Sequence, residues 1–133
     1  MEFYVHGSVM AFALLVVFPI GLVMSIFKPI KNWYKYHKLA MLTTASLIFL
    51  GVIYGLYHKD NLPESTNDIS VYHSGVGIAL LILILLQLWW AIVMRRYLKG
   101  NKWWLITHRI FATLITIFII LQIYLGTKAL KSL

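Results

Sequence analysis

The chain has 133 residues, of which 61% are hydrophobic and 12% charged, with no cysteine and a formal charge of +8. A water-soluble domain carries roughly twice that share of charged residues. The missing thiols exclude disulfides, thiolate metal sites, iron–sulfur clusters and covalent attachment of a c-type haem.

In chain order, four stretches are long and apolar enough to cross a hydrocarbon core of ~30 Å, which needs about 20 helical residues. The first spans about 3–27. It lacks a basic leader and runs long for a signal core, so it reads as a retained span. Pro19 inside it predicts a mild kink, which neighbouring helices can tolerate. Lys28-Pro29-Ile30-Lys31-Asn32 closes this span, and the second spans about 34–57. A polar loop from His58 to Ser70 follows, with Pro63 and three of the four acidic residues. The third span covers about 71–97, Leu98-Lys99-Gly100-Asn101-Lys102 makes a tight basic turn, and the fourth covers about 103–128. Short loops make consecutive helices antiparallel neighbours. The expected fold is an all-α membrane protein: one domain over 1–133, an up-down four-transmembrane-helix bundle in a lipid bilayer.

Charge gives an orientation. Lys28, Lys31, Lys35, Lys38, Arg95, Arg96, Lys99, Lys102 and Arg109 fall on one side, with no acidic residue among them. Glu2, Lys59, Asp60, Glu64, Asp68, Lys128 and Lys131 fall on the other. The positive-inside rule puts both termini on the outer side and the basic loops in the cytoplasm, or in the matrix or stroma of an organelle. The basic residues thus read as topology signals, and no nucleic-acid partner is expected. Trp33, Trp89, Trp90, Trp103 and Trp104 gather near the basic face as an interfacial aromatic belt.

Four histidines stand near the starts of the four spans: His6, His37, His73 and His108. Ionisable side chains inside a bilayer are costly and mark function by default. His6 and His73 open helices that run the same way, so both lie near the outer face. His37 and His108 lie near the inner face. In an up-down bundle the first and third helices are diagonal, as are the second and fourth, so each diagonal pair offers two histidines at one depth. A flat macrocycle between them would take both as axial ligands, and cofactor sites are commonly built this way in bundles. Imidazole suits iron. A proton relay or a divalent-metal site remains open on residue type alone. The split between faces speaks against a single metal site, and the lack of buried carboxylates against a proton path. His58 has no diagonal partner and reads as solvated.

A second spacing accompanies the first. Gly51, Gln87 and Gln122 lie fourteen residues beyond His37, His73 and His108, and Gly21 lies fifteen beyond His6. Fourteen residues is close to four helical turns, ~21 Å along one face. A glycine at the far end would make room for a second cofactor. A glutamine there would hydrogen-bond a haem edge, a propionate or another helix. Ordinary membrane-helix packing also uses small residues and Gln.

These residues resemble the cytochrome b561 family, above all its four-helix domain found alone or fused to DOMON domains. HGSVMAFALLVVFPIG is similar to the family's H-G-x-x-M followed by P-x-G, and WYKYHKLAM to its W-x-x-x-H entry. HSGVGIALLILILLQ resembles its H-x-x-x-G with a distal Gln. WWLITHRIFATLI, ending in QIYLG, resembles its second W-x-x-x-H with a late polar residue. Ala112 stands where members often have Gly, and Gln122 where Asn is common. The resemblance implies transmembrane electron transfer through two non-covalent b-type haems, His6 and His73 ligating one iron, His37 and His108 the other. Gly21, Gly51, Gln87 and Gln122 are the expected further haem contacts, and no residue is expected to be catalytic. Separate donor and acceptor proteins or small molecules would serve it, in the plasma membrane or an energy-transducing organelle membrane. Oxidoreductase action on a ferric or quinone acceptor is a further option. The alternative is a haem-binding anchor or accessory subunit of a larger respiratory or reductase complex, or a homodimer.

Overall fold

The computed structural model describes residues 2–58 and 68–131. Most of the polar loop read from the sequence, residues 59–67, lies outside the described residues. Four helices are long and apolar enough to cross a membrane: α1 (Tyr4–Phe27), α2 (Trp33–Tyr57), α3 (Asp68–Tyr97) and α4 (Lys102–Lys131). No strand occurs among the described residues. The chain divides into two compact units, residues 1–64 and 65–133. Each contains one helical hairpin, α1–α2 or α3–α4.

Lipid dictates the helices. Without water to bond the backbone, every N–H and C=O must be satisfied within the segment. The outward residues are correspondingly apolar: Leu15, Ile26, Leu50, Ile82, Ile117 and Ile120 are all exposed.

Local chemistry sets the ends. Lys28 takes a left-handed conformation (φ 48°, ψ 50°) at the C-cap of α1. Pro29 follows and cannot continue the helix. In the second hairpin Gly100 supplies the positive φ (85°). Asn101 Oδ1 then accepts the Trp103 N–H at 2.9 Å and caps α4.

Inside each hairpin the seam follows a heptad-like alternation. On α2 it runs through His37, Met41, Thr44, Ile48 and Gly51, and on α4 through His108, Ala112, Ile115, Ile119 and Gln122. On α3 it is His73, Gly77, Leu80, Ile84 and Gln87. Steps of four and three residues total fourteen, two heptads. Ile48 and Leu80 are fully buried at the seam centres. Apolar burial gains little against lipid tails, so close packing past small residues must hold the helices together. Gly21, Gly51 and Gly77 are all buried there.

α1 departs from this pattern in a specific way. Residues Ala13–Val17 form a π-helical turn, closed by the Phe18 N–H donating to the Ala13 carbonyl. Pro19 comes next and has no N–H to give. A π-turn accommodates one extra residue per turn. It therefore explains why His6 to Gly21 takes fifteen residues where the other three helices take fourteen. The kink expected from Pro19 takes the form of this widened turn. A second π-turn, Trp90–Met94, lies beyond Gln87 and leaves the fourteen-residue spacing of α3 intact.

Candidate functional site

In the first hairpin the two histidines reach across to the partner helix reciprocally. His6 Nδ1 lies 2.8 Å from the Gly51 carbonyl oxygen, and His37 Nδ1 lies 2.8 Å from the Gly21 carbonyl oxygen. A carbonyl only accepts, so both Nδ1 atoms carry the proton and donate it. The neutral ring then has its lone pair on Nε2. At each acceptor glycine a methionine of the partner helix lies against the backbone. A Cβ on Gly51 would fall 2.6 Å from Met10 Sδ, and one on Gly21 would collide with Met41 Cε.

The second hairpin uses side chains for the same contacts. Gln87 Nε2 donates to His108 Nδ1 at 2.9 Å and to the His108 carbonyl oxygen at 3.0 Å. Gln122 Nε2 lies 3.3 Å from His73 Nε2. Gln87 Oε1 and Gln122 Oε1 are buried and accept no hydrogen bond among the described residues. Leaving such an oxygen unsatisfied costs about 1–3 kcal/mol.

All eight residues singled out in the sequence therefore meet in four contacts: His6 with Gly51, His37 with Gly21, His108 with Gln87, His73 with Gln122. Each contact joins the two helices of one hairpin. The fourteen-residue spacing follows from this. In an antiparallel pair, the residue four turns beyond one histidine faces the histidine of the other helix.

The two hairpins are variants of one plan. The residue four after His6, His37 and His73 stands beside the far-end residue of the partner helix. In the first hairpin the pair is large against small, Met10 with Gly51 and Met41 with Gly21. In the second the sizes are exchanged. Gly77 faces Gln122, a Cβ there falling 3.0 Å from Gln122 Nε2, and Ala112 occupies the position equivalent to Met41. The volume that methionine fills in one hairpin is filled by glutamine in the other.

Further residues shape the histidines, and the spacing did not single them out. A Cβ on Gly55 would lie 3.1 Å from His6 Nδ1, and one on Gly126 would lie 3.0 Å from His73 Cε1. Both glycines sit one turn beyond the far-end residue, a signal that was present in the sequence. At the basic ends, Trp104 stacks on His108 with centroids 5.4 Å apart and planes at 7°. Trp33 approaches His37 at 6.5 Å and 50°. A cation covers each tryptophan, Lys28 over Trp33 at 5.2 Å and Arg95 over Trp104 at 5.8 Å. Trp90 and Trp104 also exchange indole-to-carbonyl hydrogen bonds of 3.2 and 3.3 Å. These tryptophans thus hold histidine-bearing helix ends together as well as suiting an interface. His58 packs on Tyr54 and Tyr57, with centroids 4.4 and 5.0 Å away, and is half-buried rather than fully solvated.

An all-helical chain with four helices fit to cross a membrane has the build of a multi-pass membrane protein. More particularly, a family model described as "Domain of unknown function (DUF2427)" matches residues 1–97, and the chain belongs to that family. No curated protein matches the chain, and no solved structure does.

Proposed function

We propose that this protein is a transmembrane electron carrier that holds two non-covalent b-type haems, His6 with His73 toward the outer face and His37 with His108 toward the basic face. The observation that supports this most is the pair of hydrogen bonds from His6 and His37 to glycine carbonyls. Imidazoles that ligate metals characteristically donate their other N–H to a backbone carbonyl or carboxylate, which fixes the tautomer and aims the ring. Both rings are held in the form whose lone pair sits on Nε2. The donor set fits haem iron, for which imidazole is a common ligand.

The second hairpin is compatible with the same role. The Gln87 amide turned over would offer its buried oxygen to a His108 Nδ1–H, whereas Gln122 meets His73 at Nε2, so that a turned Gln122 would pair with an Nε2–H. A haem with two histidine ligands supplies one-electron exchange and has no open position for oxygen chemistry. The pairing of histidines between hairpins rests on helix order and on the resemblance to cytochrome b561. The positive-inside reading puts the basic loops and His37 and His108 toward the cytoplasm, matrix or stroma, and both termini outside. Donor and acceptor are separate molecules.

Single substitutions test the pairing. His37→Ala and His108→Ala should remove the same spectral component of the reduced haem, and His6→Ala and His73→Ala should remove the other. If His37→Ala and His108→Ala strip different components in a folded protein, the pairing is wrong.

A further inference from the structure

The hairpins hold their histidines by chemically different acceptors, and this difference carries an inference. A backbone carbonyl can only accept, so His6 and His37 each have one permitted tautomer. A carboxamide can donate or accept, depending on which way it is turned. As placed, Gln87 donates to both His108 Nδ1 and the His108 carbonyl oxygen. That arrangement requires the His108 proton on Nε2. Its cost is visible in the buried Gln87 Oε1, which accepts nothing among the described residues.

We propose that Gln87 is a positioning residue whose amide turns over with the tautomer of His108. With the proton on Nε2, the amide nitrogen donates to Nδ1. With Nε2 engaged as a ligand, the proton sits on Nδ1 and the amide oxygen accepts it. The turn gives the oxygen a donor in His108 Nδ1–H, and the side chain must shift with it to clear the His108 carbonyl oxygen, which the amide nitrogen contacts at 3.0 Å as placed. The helix itself compensates the His108 carbonyl through its ordinary bond from the residue four further on. His37, held by Gly21, has no such freedom. The two histidines assigned to the basic face therefore differ, one locked by backbone and one following its ligand. Gln122 stands at the corresponding position at the other end but meets His73 at Nε2, so the proposal is confined to Gln87 and His108. The ligand half of this inference rests on the haem reading above; the tautomer half does not.

The test uses the full-length chain in detergent or nanodiscs with ¹⁵N-labelled histidine, prepared without haem and kept at about pH 8, above the usual imidazole range. Long-range ¹H–¹⁵N spectra read the tautomer of each ring directly, with assignments from single His→Ala variants. His37 is expected with its proton on Nδ1, and His108 with its proton on Nε2. Gln87→Glu should move the His108 proton to Nδ1, because a carboxylate can only accept. Gln87→Leu should leave His108 as a mixture of tautomers while His37 is unchanged. In haem-loaded protein, Gln87→Glu should lower the midpoint potential of one haem only, and Gln87→Leu should raise that same one. A His108 tautomer identical in wild type, Gln87→Glu and Gln87→Leu would overturn the proposal. The tautomer result stands whether or not the protein takes up haem, so its failure is separate from failure of the electron-carrier reading.

Discussion

Gly55 makes the sharpest test of how the first hairpin holds its outer histidine. A Cβ there would stand 3.1 Å from His6 Nδ1 and 3.2 Å from Cε1. Ordinary contact begins at 3.4 Å and extends to 4 Å, so the ring must retreat by about 0.3–0.9 Å. The same nitrogen donates the 2.8 Å bond to Gly51. Loss of that bond costs about 0.5–1.5 kcal/mol, and overpacking by a methyl group adds about 1–3 kcal/mol. A total of about 1.5–4.5 kcal/mol, at 1.4 kcal/mol per decade, weakens haem at the His6 position by about 10- to 1,600-fold. Gly55→Ala should therefore lose one haem on purification and keep the other. Gly7→Ala is the matched control: it adjoins His6 in sequence, but a Cβ there meets nothing within 4 Å. It should keep both haems and gain about 0.5–1 kcal/mol of helix stability. Haem per chain by pyridine haemochrome, with circular dichroism to verify helix content, reads both variants. Full occupancy and an unaltered spectrum in Gly55→Ala would refute the contact geometry.

Other outcomes follow from the same structure. Gly126→Ala should disturb His73, whose Cε1 would lie 3.0 Å from the new methyl group, and perturb the same haem as Gly55→Ala; dithionite difference spectra compare them. Trp104→Leu removes the stack on His108 and the bond from its own indole N–H to the Trp90 carbonyl, leaves the Trp90 indole bonded to the backbone carbonyl of residue 104, and should cost about 1–3 kcal/mol in thermal or denaturant stability. Deleting Val16 together with Pro19→Ala should convert the π-turn to regular α-helix and retain both haems, because fourteen residues would then separate His6 from Gly21. Deleting Ser46 from α2 rotates the rest of that helix by ~100° and should abolish haem binding, as read by haem content.

Helix number and approximate ends were legible because a bilayer leaves the chain few alternatives. Spans expected at 34–57 and 103–128 are observed at Trp33–Tyr57 and Lys102–Lys131, with Asn32 and Asn101 just before their first residues and Asn101 adding a side-chain cap bond. The eight residues were also legible, through the repeated spacing from each histidine. Their relationship was not. Gly51 was read as clearance for a second cofactor; in the hairpin its carbonyl also accepts the His6 N–H. That requires knowing that α1 and α2 are the contacting pair and run in register, which a single helix's periodicity does not reveal. The fifteen-residue step to Gly21 looked like a blemish in the pattern. The π-turn before Pro19 makes it equivalent to the fourteen of the other helices. Gly55 escaped notice, and Met10, Met41 and Gly126 entered only as letters of the quoted motifs, because their roles lie in what the opposite helix places against them.

Haem content decides the central claim most directly. The 133-residue chain, expressed with haem supply and purified from membranes, would be examined by dithionite-reduced minus oxidised spectroscopy and pyridine haemochrome. Two low-spin b-type haems per chain are expected. A colourless, helical, monodisperse protein that takes up no added haem would contradict the electron-carrier reading.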